Sequence, residues 1–243
     1  MADVLMGARM NTRALIVING DDVYEDLFGA SLELQGILTD AGFVTDLRMG
    51  MGAFTGSVET LEELDMVVLY TAMGEFNIEQ QRGLAAAVDG GMGLIAIHAS
   101  NVFGSDNGHI ADEYLTAFDL LGGRYASHGP PPHESRFTVA LDCEHPITRG
   151  IGPFAITHEH YHLEQADAHN QVLAWRPNEG GREPLVYVRE HGRGRVCYLQ
   201  FGHDMRAWNE PAIRTMIGNA ANWAQRKDSI IREDSAIREG SIA

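Results

Sequence analysis

The sequence predicts an α/β fold: a doubly wound, mainly parallel sheet with helices on both faces and an antiparallel extension in its second half. Two observations lead to this prediction. Over residues 13–98, short apolar runs that are typical of buried strands alternate with segments of helical periodicity. After residue 121, strand-like segments follow one another with only turn residues between them. Alternating β and α units favour parallel strands, whereas closely spaced strands favour antiparallel pairing.

Each element of the first half has a local reason to form. The strands are apolar and rich in β-branched residues, and the helices repeat apolar residues three and four positions apart. Asn77 offers a side-chain cap to the second long helix, and the pair Gly90-Gly91 ends it. In order, the predicted elements are the strand Arg13–Asn19, the helix Ala30–Asp40, the strand Phe43–Leu47, the helical turn Thr60–Leu64, the strand Asp65–Tyr70, the helix Ile78–Asp89 and the strand Gly93–His98.

The second half is predicted to hold five strands between two helices, Asp112–Leu121 and Glu210–Arg226. No linker divides the chain, so we expect a leader over residues 1–12, one domain over 13–226 and a tail over 227–243. The tail repeats a hexapeptide, SIIRED and then SAIREG, and is either a frayed end or an oligomerisation arm. The predicted strands are Glu134–Leu141, Phe154–His158, Val172–Trp175, Pro184–Arg189 and Val196–Phe201.

The composition restricts partners and location. The chain has 243 residues, with 18 Lys and Arg against 34 Asp and Glu, a formal net charge of −16. Such a chain repels phosphate backbones and anionic lipid, so no nucleic acid or membrane is expected as a partner. It shows no secretory signal and no apolar run near the roughly 18 residues of a membrane span. With two cysteines and no glycine-rich phosphate motif, we expect a cytoplasmic protein without a bound nucleotide or flavin.

Histidine is concentrated in the second part of the chain, where all eleven imidazoles follow residue 97. Doubly wound sheets bind ligands outside the carboxyl ends of their strands, so residues directly after strands are candidates. His98 ends one predicted buried strand and His203 follows another, while Asp22 and Asn101 lie in turns after strands. We expect the two histidines to approach the same edge of the sheet. The alternative is that each is a structural histidine bonded to the backbone.

The segment His158–Glu164 is the densest group of titratable side chains, with three imidazoles and two carboxylates in seven residues. On a regular strand its histidines, at positions 158, 160 and 162, would face one side, and Glu159 and Tyr161 the other. Imidazole and carboxylate are ligands that suit zinc and manganese. The alternative is a polar, solvated end of a strand.

Several motifs, taken in order, resemble one known family. They are LDMVVLYTAMG at 64–74, GGMGLIAIHAS at 90–100, LLGGRYASHG at 120–129, EHPITRGI at 144–151, ITHEHYHL at 156–163, VLAW at 172–175 and PLVYVREHGRGRVCYLQFGHD at 184–204, before a closing helix with Trp223. This series resembles the ThuA-like (trehalose utilisation) proteins, which share the flavodoxin-like fold of class I glutamine amidotransferases. Two positions depart from the family. The segment 21–24 lacks a His that members often carry, and the usual Asp-Glu-x-Tyr begins here with His158.

The resemblance implies sugar catabolism beside dehydrogenases that oxidise disaccharides such as trehalose to 3-keto sugars. A 3-keto group acidifies the C2 proton, so a site that holds the ketone oxygen near a base would support enolisation, isomerisation or glycosidic cleavage. The His98 region stands where amidotransferases have their catalytic cysteine, so glutamine hydrolysis is not expected. Ser100 lacks the glycines of a nucleophile elbow, so a serine nucleophile is not expected either.

These arguments assign roles to individual residues. A divalent metal, zinc or manganese, is assigned to His98, Glu159 and His203, and the catalytic groups are His98 with Glu159 or His160 as the base. The expected sugar-binding residues are Asp22, Asn101, His128, Tyr161 and Trp208. We also expect a homo-oligomer. The alternative function is a non-catalytic sugar-binding or regulatory protein that kept the fold and lost the chemistry.

Overall fold

A computed structural model describes residues 12–21, 23, 25–56, 61–103, 105–106, 109–142, 144–165, 169–178 and 181–225. The strands are β1 (Arg13–Gly20), β2 (Val44–Met49), β3 (Met66–Ala72), β4 (Gly93–Ile97), β5 (Ser105–Asp106), β6 (His109–Ile110), β7 (Gly123–Ser127), β8 (Glu134–Leu141), β9 (Phe154–Glu159), β10 (His162–Gln165), β11 (Gln171–Asn178), β12 (Gly181–His191) and β13 (Gly194–Leu199). The helices are α1 (Leu27–Asp40), α2 (Ile78–Asp89), α3 (Leu115–Leu121), α4 (Met205–Trp208) and α5 (Pro211–Ala224). Within these ranges, no helix is long and apolar enough to cross a membrane.

Nine of the strands form one sheet in the order β2-β1-β3-β4-β13-β12-β11-β8-β9. The first five positions are parallel, and from β13 onwards each neighbouring pair is antiparallel. The parallel half therefore has the flavodoxin order, with β13 in the fifth position. This confirms the predicted fold class, including the antiparallel extension.

Helices cover both faces of the parallel half, because successive residues of its strands point to opposite sides. On one face, Ile16 belongs to a core with Leu34 of α1 and Ile217 of α5. On the other face, Val17 belongs to a second core that includes Leu84 of α2 and residues of α3. Since both faces of these strands are buried, the strands read as continuous apolar runs rather than as alternating ones.

The antiparallel half curls back over the carboxyl edge of the parallel half. β9 lies five strand positions from β4, which in a flat sheet would separate the two by about 24 Å at the usual strand spacing. Yet Glu159 at the end of β9 reaches within 3.4 Å of His98, the residue after β4. The curvature of the sheet therefore brings a distant edge strand to the ligand-binding edge.

Several expectations need correction or fall outside the described residues. The strands β5, β6, β7 and β10 and the short helix α4 were not predicted, because their polar residues lack a clear apolar period. It also treated 158–162 as one strand, whereas β9 ends at Glu159 and β10 begins at His162. The turn between them breaks the predicted alternation of side chains. Asp22, residues 1–11 of the leader and the whole tail lie outside the described residues.

The ends of β1 and β3 approach so closely that only glycine fits at position 20. Gly20 has φ +106°, and a Cβ atom there would lie 2.0 Å from the carbonyl oxygen of Ala72. Gly42 provides a comparison, because it has φ +95° but open space around its Cα. The two glycines therefore separate the cost of a positive φ from the cost of a clash.

We expect Gly20→Ala to destabilise the protein more than Gly42→Ala. The positive φ alone should lower the free energy of unfolding by about 1–2 kcal/mol in both variants. In Gly20→Ala, the clash with the Ala72 carbonyl oxygen should lower the free energy of unfolding by about 1–3 kcal/mol more. Urea unfolding followed by circular dichroism measures both. Equal losses in the two variants would contradict this close approach of β1 and β3.

Candidate functional site

Four titratable side chains converge at the carboxyl edge of the sheet: Glu25, His98, Glu159 and His203. The Nε2 atom of His98 lies 3.5 Å from Oε1 of Glu25 and 3.4 Å from Oε2 of Glu159. The Nδ1 atom of His203 lies 3.8 Å and 3.4 Å from the same two oxygens. His98 is completely buried and Glu25 nearly so, whereas Glu159 and His203 are partly open to solvent. The structure thus brings together the three residues assigned to a metal from the sequence.

His98 is held by the ends of the central strands. It starts a 3₁₀ turn with φ +51°, a backbone conformation that non-glycine residues seldom adopt. The Tyr198 hydroxyl donates to the His98 carbonyl oxygen at 2.9 Å. The Ser100 hydroxyl bonds the carbonyl of Leu69 at 2.8 Å and accepts from the Thr71 backbone N–H. The Ser100 hydroxyl is therefore hydrogen-bonded to backbone groups, in agreement with the absence of the glycines of a nucleophile elbow.

The orientation of the His98 ring is set by a backbone hydrogen bond. Its Nδ1–H donates to the Gln200 carbonyl oxygen at 2.7 Å, so Nε2 is the atom that faces the two carboxylates. Burial alone would lower the pKa of His98, but hydrogen bonds and charges from Glu159 and Glu25 outweigh it and raise the pKa to about 9. In the absence of a metal, His98 is therefore an imidazolium at neutral pH.

Both carboxylates are stabilised in their charged form. Burial opposes ionisation of Glu25, but His203 and His98 bring the pKa of this carboxyl down to about 2. Burial also opposes ionisation of Glu159, and the histidines around it, His98 above all, hold its pKa below the ordinary value. Two anionic side chains therefore face two imidazole rings in a largely dehydrated group.

The distances in this group are also compatible with a divalent cation held between the side chains. A charge-assisted N–H···O bond is usually about 2.7–2.9 Å long, and all four His-to-carboxylate distances are longer. Ligand atoms about 2.0–2.1 Å from a tetrahedral zinc lie about 3.3 Å from one another. In addition, Oε2 of Glu25 and Nδ1 of His203 are buried without a hydrogen bond. Glu25, His98 and His203 offer ligand atoms that all lie within 4.8 Å of one another.

His158 lies next to this group and joins the ends of β9 and β13 through three hydrogen bonds to the backbone. Its Nε2 accepts from the N–H groups of Gly202 and His203 at 3.2 and 3.4 Å. Its Nδ1–H donates to the Glu159 carbonyl at 2.9 Å. Burial and the neighbouring His98 lower the pKa of His158 to about 3, so the ring is neutral. We call this set of three bonds the His158 clamp.

Gly202 is fixed on its other side as well. Its carbonyl oxygen accepts from the Tyr70 hydroxyl at 2.8 Å and from the indole N–H of Trp208 at 3.0 Å. Trp208 is 1% exposed, so the indole packs in the core and supports the His203 backbone. It presents no surface to a sugar in this structure, although the sequence analysis assigned it to sugar binding.

Tyr161, which is 3% exposed, and His128 also border the group. The Tyr161 hydroxyl lies 3.1 Å from Nε2 of His98, and its ring stacks on the His98 ring. Burial and the charge of Glu159 raise the pKa of Tyr161 well above its ordinary value, so it keeps its proton. Nε2 of His128 lies 3.6 Å from Oε1 of Glu159 and is about one-third exposed. Tyr125 packs edge-on against the rings of Tyr161 and His128.

Two other assigned residues lie apart from this group. The His160 ring points away from it and contacts the Ser135 hydroxyl at 2.7 Å and the Phe137 ring. Asn101 is completely buried. The alternation of a regular strand would have separated His158 from Glu159, but both approach His98, because the chain turns after β9.

Glu25 is the residue that sequence reasoning missed. It lies five residues after β1, in the loop that leads to Asp26, the N-terminal cap of α1. The sequence points to this loop, but the residue expected from it was Asp22, which comes soon after the strand. Glu25 is 5% exposed, and the sequence holds one signal of this: a carboxylate immediately before a helix cap at a ligand-binding strand end.

Comparison with known protein families shows which family the chain belongs to. Residues 14–224 match the family described as ThuA, trehalose utilisation. The chain belongs to the ThuA family. Among curated proteins, none matches the sequence at a significant level.

Solved structures share the ThuA fold over most of this chain. A ThuA-like protein from Bacteroides uniformis ATCC 8492 has 18% identity and a TM-score of 0.70, covering 91% of this chain and 94% of its own. A ThuA-like protein from Parabacteroides merdae ATCC 43184 has 17% identity and a TM-score of 0.63, with coverages of 88% and 90%. A cytoplasmic protein from Salmonella typhimurium LT2 has 14% identity and a TM-score of 0.63, with coverages of 88% and 100%. At these identities the likeness shows the fold.

In metal-free protein, we expect His98 and His158 to titrate in opposite directions from the ordinary value of 6.5. The two carboxylates should keep the His98 ring protonated up to a pKa of about 9. Burial and two backbone donors should keep His158 neutral down to a pKa of about 3, with its proton on Nδ1. Nitrogen chemical shifts of the imidazoles, assigned with His98→Gln and His158→Gln, measure both. A His158 that becomes protonated near pH 6.5 would contradict the clamp.

Proposed function

We propose that this ThuA-family protein is an enzyme of carbohydrate catabolism that enolises a 3-keto sugar, such as a 3-keto-disaccharide related to trehalose. The family description supports a carbohydrate-related role. The observation that supports the chemistry is the dehydrated group in which His98 and His203 face the carboxylates of Glu25 and Glu159. We also infer a cytoplasmic location, which the description of the Salmonella relative supports.

Glu25, His98 and His203 are the residues that we propose to hold a divalent metal. Two imidazoles and one carboxylate suit zinc, manganese or a similar ion. The Nδ1–H bond of His98 to Gln200 leaves Nε2 as the ligand atom, which is the usual role of an outer hydrogen bond at a metal site. When bound, such an ion supplies a positive charge that polarises a ketone oxygen.

Glu159 is the proposed base for the C2 proton. Its carboxylate is the more accessible of the two, and its low pKa keeps it ionised at neutral pH. The carboxylate oxygen takes the proton from C2, the C–H electron pair forms the C2=C3 double bond, and the ketone oxygen gains the negative charge. The positively charged surroundings of His98 favour this oxyanion. His160, the other candidate base, points towards Ser135 instead.

Two outcomes follow from the same enediolate. For isomerisation, the 2-hydroxyl passes its proton to the oxygen on C3, and Glu159 returns its proton to C3, which gives the isomeric 2-keto sugar. Alternatively, the electron pair at C2 forms a C1=C2 double bond and expels the glycosidic oxygen from C1. The expelled oxygen takes up a proton and leaves as an alcohol. The remaining sugar is an unsaturated ketone, to which water can add. Tyr161 and His128 border the group and are the proposed hydrogen-bond partners of the sugar, because the Tyr161 hydroxyl keeps its proton.

We expect protein purified without a His tag to contain or take up close to one equivalent of zinc or manganese. Glu25→Gln and His203→Ala should each weaken the affinity by at least about a hundredfold, since even outer-sphere changes cost about 10–100-fold. His160→Asn is the matched control and should bind metal like wild type, because its ring lies outside the group. Elemental analysis and calorimetric titration measure the binding. A wild-type protein that takes up no metal even after soaking would remove the metal from this proposal.

We expect Glu159→Gln to slow exchange of the C2 proton of 3-keto-trehalose by about 10²–10⁴-fold, the usual contribution of a general base. His160→Asn should exchange at nearly the wild-type rate. Proton NMR in deuterated buffer follows the loss of the C2 signal. Loss of exchange in His160→Asn with retention in Glu159→Gln would transfer the base role to His160.

The same assay separates the enzyme from the sugar-binding alternative. A binding protein would gain thermal stability with the keto sugar and yet show neither C2 exchange nor any product. That result in the metal-loaded wild type would overturn the proposed activity.

A further inference from the structure

Large apolar side chains are exposed on one flank of α1 and on the neighbouring edge strand β2. Phe28 and Leu32 of α1 are 76% and 52% exposed, and Leu47 and Met49 of β2 are 40% and 69% exposed. Large apolar side chains exposed on neighbouring elements are typical of interaction sites. This patch takes no part in the site described above.

The four side chains lie on the same side of the sheet edge. Leu47 pairs in register with Ile16 and Met49 with Ile18, and these two β1 residues belong to the core under α1. Phe28 and Leu32 are one helical turn apart, so they share a face of α1. That face is directed away from α5, because Ile37 approaches Gly218 and Glu33 pairs with Arg214 on the opposite flank.

β2 also offers an open backbone edge. It is the terminal strand of the sheet and pairs with β1 alone among the described strands. Its other face carries Asp46 and Arg48, two positions apart and both exposed. Arg13 bonds Asp46 at 3.1 Å, whereas Arg48 has no carboxylate partner in the described ranges. β2 has an open backbone edge, and it carries Asp46 and Arg48 two residues apart. Such a strand is suited to antiparallel pairing with the same strand of a second copy.

We infer that α1 and β2 form the two-fold interface of a homodimer, in which β2 pairs antiparallel with β2 of a second copy, centred on Leu47. In this register Leu47 faces Leu47 of the second copy. Asp46 faces Arg48 of the second copy, and the symmetry repeats this pair. Opposite charges directly across a ladder stabilise the pairing, and an isologous interface contains each contact twice.

The spacing of the helices supports the same arrangement. α1 contacts both β1 and β2, so two copies of α1 on the same side of a joined sheet would lie roughly two to three strand spacings apart, about 10–14 Å. Packed helices are usually about 8–10 Å apart, and longer side chains fill the wider gaps. Phe28, Leu32, Leu47 and Met49 are the exposed apolar side chains available to fill this space.

Light scattering of the full chain after size-exclusion chromatography tests the assembly. We expect twice the mass of one chain, and we expect the double variant Phe28→Glu with Leu32→Glu to weaken dimerisation by at least about a hundredfold, since buried charges replace apolar contacts on both copies. Leu115→Glu is the matched control, because Leu115 is similarly exposed (48%) on the opposite face of the sheet, and it should leave the mass unchanged.

Cross-linking tests the register. Leu47→Cys should form a disulfide between two copies under mild oxidation, because directly opposed strand residues have Cα atoms about 4.5–5.5 Å apart. Leu115→Cys should stay uncoupled. A monomeric wild type, or a dimer that persists in the double glutamate variant, would overturn the interface. A dimer that is lost in that variant but never cross-links through Leu47→Cys would overturn the strand pairing.

Discussion

The candidate site depends on the His158 clamp. The strands that carry Glu159 and His203 are four positions apart in the sheet, and the curl of the antiparallel half brings their ends together. One neutral imidazole then satisfies two backbone N–H groups of the 202–203 segment and one carbonyl at Glu159. Because buried backbone groups are costly when unpaired, this ring fixes both segments at once. A protonated ring would lose its acceptor, so burial that keeps His158 neutral also keeps the site assembled.

Charge balance explains why the group needs a cation. Two ionised carboxylates in a dehydrated site would repel each other without positive charge between them. In the metal-free protein a protonated His98 supplies that charge, at the distances seen around its Nε2. A divalent ion would replace the proton and add the charge that an enediolate needs. The same side chains would therefore be stabilised by the charge of His98 in the metal-free protein and would support the proposed enolisation when an ion is bound.

Strand-end reasoning pointed to His98 and His203, and the dense group of titratable side chains at 158–164 together with the family resemblance pointed to Glu159. Sequence reasoning did not find Glu25, because its one signal, the position immediately before the helix cap Asp26, does not by itself say which carboxylate of the loop turns inwards. It assigned Trp208 to the sugar, although its indole N–H bonds a buried carbonyl. It also spread the histidines of 158–162 over a regular strand, and the break after Glu159 depends on the long-range curl of the sheet, which no local period encodes.

The two departures from the family pattern noted in the sequence concern the loop after the first strand and position 158. From that loop, this chain supplies the carboxylate of Glu25 to the site. Where the usual motif begins with Asp, it carries His158, which is neutral here. An Asp at 158 could also accept the two backbone N–H groups, but it would add a third negative charge beside Glu25 and Glu159 and could not donate to the Glu159 carbonyl. With Glu25 present, a neutral acceptor that is also a donor preserves both the charge and the backbone bonds of the site.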